Sequence, residues 1–240
     1  MTLNIRKIVR DDELFPDHLN LCIYRKDRPH QRGGGVLIGV KRHIASFCIQ
    51  LQCSLEITCV CLCSAIIKTV LVVCYRPPKS DSAFTSELHK DLLEITERFP
   101  KANLLLFGDL NFPNISWSSL TADASRDSRE FLELCLLFNL TQVVLSPTRG
   151  DNILDLVLTS SPDLVRFVTY SNGFSDHKLL HISLSLPILV KMPVKKVIHD
   201  YGIADFVSMN RNLTTFLQSY QIHFNLRSVN DNWILYKNEL

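Results

Sequence analysis

Four stretches of this chain set polar, chemically capable side chains at the ends of apolar runs. In the first, Asn103 to Asn111 (NLLLFGDLN), four apolar residues end abruptly in Gly108-Asp109-Leu110-Asn111. A run of this kind reads as a short strand buried on both faces, with a carboxylate and an amide at its exposed end. The other three are Cys74-Tyr75-Arg76-Pro77-Pro78, Ile153 to Leu158 with Asp155 inside it, and Ser175-Asp176-His177. Each alone reads equally as a turn or a strand edge, since Gly-Asp is common turn chemistry and a residue before Pro is pushed into extended backbone. Together they bring carboxylates, an amide, a phenol and an imidazole, the groups that move protons and ligate hard cations. His43, His89, His181 and His199 stand in no such constellation and read as structural or surface residues.

The elements that must position these groups are mostly strands. Short β-prone runs at 21–25 and 35–40 flank a polar turn and Gly33-Gly34-Gly35, which reads as a loop tip or a bulge. No helix follows the glycines, so they do not form a dinucleotide-binding turn. Further strands are predicted at 44–50, 54–62, 66–75, 103–109, 141–145, 153–159, 164–170 and 179–186. Phe84, Leu88, Leu92, Ile95 and Phe99 recur at helical spacing behind Ser80 and Asp81 as N-caps, and Pro100 closes the helix. A second helix is predicted over 127–139, with Phe131, Leu134, Cys135 and Phe138 inward. Many strands with two intervening helices argue for an α/β sandwich of two mostly antiparallel sheets flanked by helices. Residues 1–187 form this domain. Residues 188–240 read as a lysine-bearing linker and a partial helical segment that opens at Ala204-Asp205-Phe206.

Length and charge narrow the rest. At 240 residues and 46% hydrophobic content the chain can bury one sizeable core. The 26 basic residues are matched by 24 acidic ones, so charge neither supports nor excludes nucleic acid. The eight cysteines show no disulfide-framework spacing, and Cys59, Cys61 and Cys63 read as buried free thiols in a reducing compartment. The N-terminus has no apolar signal core, so the protein is expected to be nuclear or cytoplasmic and not secreted. The apolar stretch 57–75 holds Lys68, whose burial mid-bilayer would cost roughly 2.5–3.5 kcal/mol. Its β-branched content suits two sheet strands, and no membrane span is expected.

The four stretches, in this order and spacing, resemble the endonuclease/exonuclease/phosphatase superfamily. The chain is similar, more closely, to the apurinic-like endonuclease domain of non-LTR retrotransposons of the jockey and chicken-repeat kind. Asp11 to Pro16, Tyr24-Arg25-Lys26-Asp27-Arg28, Arg32 to Val36 and Pro147-Thr148-Arg149-Gly150 share the likeness, and the tail looks like the linker toward a reverse transcriptase. The resemblance implies a DNase I-like fold, double-stranded DNA as partner, Mg²⁺ or Mn²⁺ as cofactor, and a reverse transcriptase downstream in an intact element. For hydrolysis of a phosphodiester, His177 suits the phosphate or the attacking water, with Asp155 behind the imidazole. Asp109 would orient or deprotonate water, Asn111 and Tyr75 would donate to phosphate oxygens, and Asp176 supplies a hard ligand for Mg²⁺. Arg76 and Ser175 are candidates for the substrate phosphate, and Asn4 for a weak metal ligand.

The pattern departs from the family at the N-terminus. The family's first strand ends in Asn, as Leu3-Asn4-Ile5-Arg6 does, but the Glu-bearing strand that should follow is missing, and Asp11-Asp12-Glu13 comes almost at once. A loss of roughly 30 residues, one helix-plus-strand unit, accounts for this. The expectation is an N-terminally incomplete domain whose Mg²⁺-dependent DNA nicking is impaired. The alternatives are a decayed or domesticated non-catalytic fragment and a phosphatase of the same superfamily.

Overall fold

The computed structural model describes residues 15, 19–28, 34–78, 80, 83–123, 125–173, 175–187, 190 and 201–239. Asn4, Glu13, Asp81 and most of the predicted linker lie outside these. The chain divides into two compact units, Met1–Met192 and Pro193–Leu240.

In the first unit the order is β1 (Leu21–Lys26), β2 (Val36–Lys41), β3 (Ser46–Ile49), β4 (Glu56–Leu62), β5 (Thr69–Tyr75), α1 (Ala83–Arg98) and β6 (Asn103–Asp109). There follow β7 (Ile115–Ser116), β8 (Thr121–Ala122), α2 (Arg126–Leu137), β9 (Thr141–Gln142), β10 (Asp155–Thr159), β11 (Val165–Asn172) and β12 (Lys178–Leu184). A six-stranded sheet runs β3-β4-β5-β6-β10-β9, and β1–β2, β7–β8 and β11–β12 pair separately. All pairs are antiparallel except β5 with β6, which α1 connects as a crossover must.

The central strands are apolar throughout because both faces are covered. Cys59, Cys61, Val70, Val72, Cys74, Leu104, Leu106, Leu156 and Leu158 pack with Leu88, Leu92 and Ile95 of α1 and Phe131, Leu134 and Cys135 of α2. The alternate residues Val60, Leu62 and Val73, with Leu71, Tyr75 and Phe107, pack against Val36, Ile38 and Val40 of β2. The mixed-sheet, helix-flanked sandwich is therefore the fold that the alternation predicts. The stretch 57–75 forms most of β4 and all of β5, and Lys68 lies just outside the strand, 5.4 Å from the Phe99 ring centre. Among the described residues no helix is long and apolar enough to cross a membrane. All eight cysteines are free, and burial pushes the Cys61 thiol up to about 11.

Two elements are shorter than their apolar patterns suggest. β9 stops at Gln142 because the Gln142 side chain itself pairs the backbone of Val144, accepting from its N at 2.7 Å and donating to its O at 2.7 Å. Helix α2 ends at Leu137, and Asn139 takes φ 51°, a left-handed turn that Asn tolerates. At its start the Ser125 side chain accepts from the Ser128 backbone N–H.

The second unit holds α3 (Phe206–His223) and α4 (Val229–Glu239). Asp205 caps α3 by accepting from Ser208 N at 3.0 Å. Asn232 of α4 is buried, donating to Phe224 O at 2.8 Å and accepting from the Tyr220 hydroxyl at 3.2 Å. The apolar residues Phe206, Leu213, Leu217, Trp233 and Leu235 remain exposed.

Candidate active site

Sheet parity decides which polar side chains meet. Along β4, β5, β6 and β10 the helix-facing set is Cys59, Cys61, Val70, Val72, Cys74, Leu104, Leu106, Leu156 and Leu158. Residues of opposite parity, Glu56, Tyr75, Asp109 and Asp155, therefore face the β1–β2 side. Register aligns them: Glu56 pairs with Tyr75, Asp109 pairs with Asp155, and the parallel match Val73 to Phe107 puts Tyr75 beside Asp109 two residues on. Four polar side chains thus form a transverse row at one end of four adjacent strands.

Gly108 permits the close approach behind this row. Its φ is 150°, and a Cβ there would fall 1.8 Å from the Cys74 carbonyl oxygen. With the backbones that close, Arg76 N donates to Asp109 O at 2.9 Å, and Leu110 N donates to Leu154 O at 3.0 Å on the other side. Asp109 is so fixed between β5 and β10. Its Oδ1 is buried without a hydrogen-bond partner. Burial first, then the charge of Asp155, push its carboxyl up to about 6, against the opposing pull of His177, Asn111 and Arg149.

His177 comes from the segment before β12, yet its Nδ1 lies 2.8 Å from Asp155 Oδ2. Thr148 makes this meeting possible. Its fully buried Oγ1 accepts from Leu154 N at 3.1 Å and Asp155 N at 3.0 Å, while its carbonyl accepts from Lys178 N at 2.8 Å. One residue therefore ties the start of β10 to the start of β12. The Ser175 hydroxyl accepts from His177 N at 3.2 Å and so shapes the turn that carries the imidazole.

The remaining predicted residues have other partners as well. Asp176 is exposed and ion-paired to Arg149 at 2.6 Å. Its desolvation is outweighed by the hydrogen bond and charge of Arg149, which hold the carboxyl below its ordinary value. Arg76 is only 5% exposed, its guanidinium 4.3 Å from the Phe112 ring centre, donating to Asn111 O at 3.0 Å and pairing with Asp127 at 3.4 Å. Asn111, with φ 50°, returns the bond by donating from Nδ2 to Arg76 O at 2.7 Å. These two residues clamp the loops after β5 and β6 together. The burial of Arg76 lowers its affinity for its proton, partly offset by Asp127.

The donor set bears directly on the implied Mg²⁺. It contains hard oxygens, but Asp155 is committed to His177 and Asp176 to Arg149, which leaves the orphaned Oδ1 of Asp109. Among the described residues no three of His, Cys, Asp and Glu group to hold a metal ion. The described residues do not by themselves fit a resident Mg²⁺.

Sequence reasoning alone missed Glu56 and Thr148. For Glu56 the signal was present in the alternation of β4, which sets it on the face of Val60 and Leu62; for Thr148 only the tertiary bonds reveal the role.

Residues 69–181 match the endonuclease-reverse transcriptase family. The fold is similar to the endonuclease domain of TRAS1, a telomere-specific non-LTR retrotransposon, at TM-score 0.57 and 14% identity over 72% of this chain and 83% of that one. It is also similar to the 3′ phosphatase NExo from Neisseria, at TM-score 0.52 and 12% identity over 74% of this chain and 86% of that one. No curated protein matches the chain significantly. The family match spans just under half of the chain, and the likeness to these two structures is one of fold, the DNase I-like fold of endonuclease/exonuclease/phosphatase proteins.

Proposed function

We propose that this chain is a duplex-DNA-directed phosphodiesterase domain of the retrotransposon endonuclease type, with its acid–base apparatus assembled and its cleavage impaired. The observation that carries the reading is the 2.8 Å bond from His177 Nδ1 to Asp155 Oδ2, set beside the half-buried Asp109 carboxyl. Asp155 fixes the imidazole so that Nε2 faces outward to exchange a proton with water or with a phosphate oxygen. Asp109, poised near pH 6, is placed to hold or release a proton next to it. The Tyr75 phenol, kept protonated by burial and by the neighbouring Asp109 charge, donates to a phosphoryl oxygen. The resemblance implies a Mg²⁺- or Mn²⁺-dependent reaction, and the incomplete oxygen set supports weak cleavage. Action on DNA makes the nucleus the site of work, and in an intact element a reverse transcriptase would follow.

A second reading, removal of a 3′ phosphate, draws on the similarity to the Neisseria enzyme. Plasmid nicking with Mg²⁺, Mn²⁺ or EDTA, run beside phosphate release from a 3′-phosphorylated oligonucleotide, separates the two. Duplex binding with little nicking is the expected result. Failure to bind duplex DNA, or release of 3′ phosphate in its place, would overturn the proposal.

A further inference from the structure

Gly34 and Gly35 take positive φ, 97° and 104°. A Cβ on Gly34 would lie 2.4 Å from Cζ of Arg28, and one on Gly35 would lie 2.8 Å from the Lys26 carbonyl oxygen. Gly34 is therefore fitted against the Arg28 guanidinium, and Gly35 against the backbone that leads to Arg28. Gly35 N also donates to Glu56 Oε2 at 2.8 Å, while Glu56 Oε1 accepts from Arg28 Nε at 2.6 Å and lies 2.6 Å from its Nη2. A fork gripped in this way on a carboxylate only 14% exposed is held in one orientation. That orientation sets Cζ of Arg28 5.6 Å from the centre of the Tyr75 ring, and Tyr75 is the register partner of Glu56.

We infer that Arg28, gripped by Glu56 and given room by Gly34, is a positioning residue that holds the Tyr75 phenol as a hydrogen-bond donor toward a phosphodiester. A guanidinium has only donors, so it can meet a phenol oxygen only on its lone-pair side, which leaves the O–H to point elsewhere. On the side of Tyr75 away from Glu56 the row continues to Asp109 and Asp155. The charge of Arg28 acts on this phenol, opposing the larger effects of burial and of Asp109. A pair that merely latched the loop after β1 onto β4 would have no influence on Tyr75. What the phenol faces rests on the proposed function, whereas the control of Tyr75 by Arg28 does not.

The test uses the full chain carrying isotope-labelled tyrosine, with the Tyr75 resonance assigned by its loss in Tyr75→Phe. Arg28→Gln is expected to move the Tyr75 titration to higher pH. Gly34→Ala removes no charge but pushes the guanidinium aside, and is expected to move the titration in the same direction. In a second arm, a fluorescein-labelled oligonucleotide duplex is bound in EDTA. There Arg28→Gln and Tyr75→Phe should each weaken binding by about tenfold, and the double variant by hardly more, because both remove one coupled contact. A Tyr75 resonance unmoved in every variant that unfolds at the wild-type temperature overturns the inference, as do fully additive losses in binding. A wild-type chain that binds no duplex sinks the proposed function, and the Tyr75 titration still decides on Arg28.

Discussion

Asp109 carries the clearest energetic signature in the site. Its carboxyl titrates near 6 in the folded chain against an ordinary 3.8, so between those values the folded state binds the extra proton. Stability therefore falls as pH rises from about 4 to about 6, and at neutral pH the fold carries the cost of a buried charge with one orphaned oxygen. Asp109→Asn removes that charge while keeping the shape. It is expected to stabilise the chain by on the order of 1–3 kcal/mol at neutral pH, with the gain disappearing below about pH 4. Urea unfolding at both pH values checks this, and a variant no more stable than wild type at neutral pH contradicts it. The same substitution should abolish whatever nicking the chain shows.

At the scale of elements, the site depends on two joints. The first is the approach of β6 to β5 at Gly108. A methyl group there would meet the Cys74 carbonyl, so Gly108→Ala must open the sheet at its centre. A loss on the order of 3 kcal/mol or more is expected, seen as a lower unfolding midpoint or insoluble expression. The second joint is Thr148, between β10 and β12. Thr148→Val keeps the volume but strands the buried N–H groups of Leu154 and Asp155. It should cost about 1–3 kcal/mol and loosen the His177–Asp155 pair, while Thr148→Ser should restore most of both. If Val and Ser variants unfold alike, the hydroxyl is not what joins the strands.

Across the whole molecule, the face that carries the polar row is covered unevenly. Among the described residues β1–β2 and β11–β12 form separate two-stranded ladders, whereas the opposite face of the sheet is packed by α1 and α2. The resemblance to retrotransposon endonucleases calls for a Glu-bearing strand between Arg6 and Asp11, a region outside the described residues. Inserting a helix-plus-strand segment of roughly 30 residues there is expected to bring Mg²⁺-dependent nicking where the chain as it stands shows little or none. That activity should disappear again with His177→Ala, and Asp155→Ala should add little to the His177→Ala loss because the two act as one unit. Strong nicking by the 240-residue chain itself, abolished by Asp109→Ala, would mean that carboxylates already present complete a metal site.

The sequence by itself determined the longer strands, the two helices of the first unit and the polar ends of the apolar runs, because a side chain's face and an apolar run's length are local properties; the two-residue strands β7 and β8, in a stretch that reads as a loop, exist only through their pairing with each other. It also held the parity that sets Glu56 on the face of Tyr75, although strand alternation has meaning only once the neighbouring strand is known. Which polar groups meet was decided by the tertiary structure alone. Arg76 and Asn111 look like site residues in the chain, but they face each other across two loops, and Arg76 is withdrawn onto Phe112. Asp176 adjoins His177 in sequence yet pairs with Arg149, while His177 reaches back across 22 residues to Asp155. Hydrogen bonds of this range depend on register and loop closure, and those are settled only when the core of the sheet has packed.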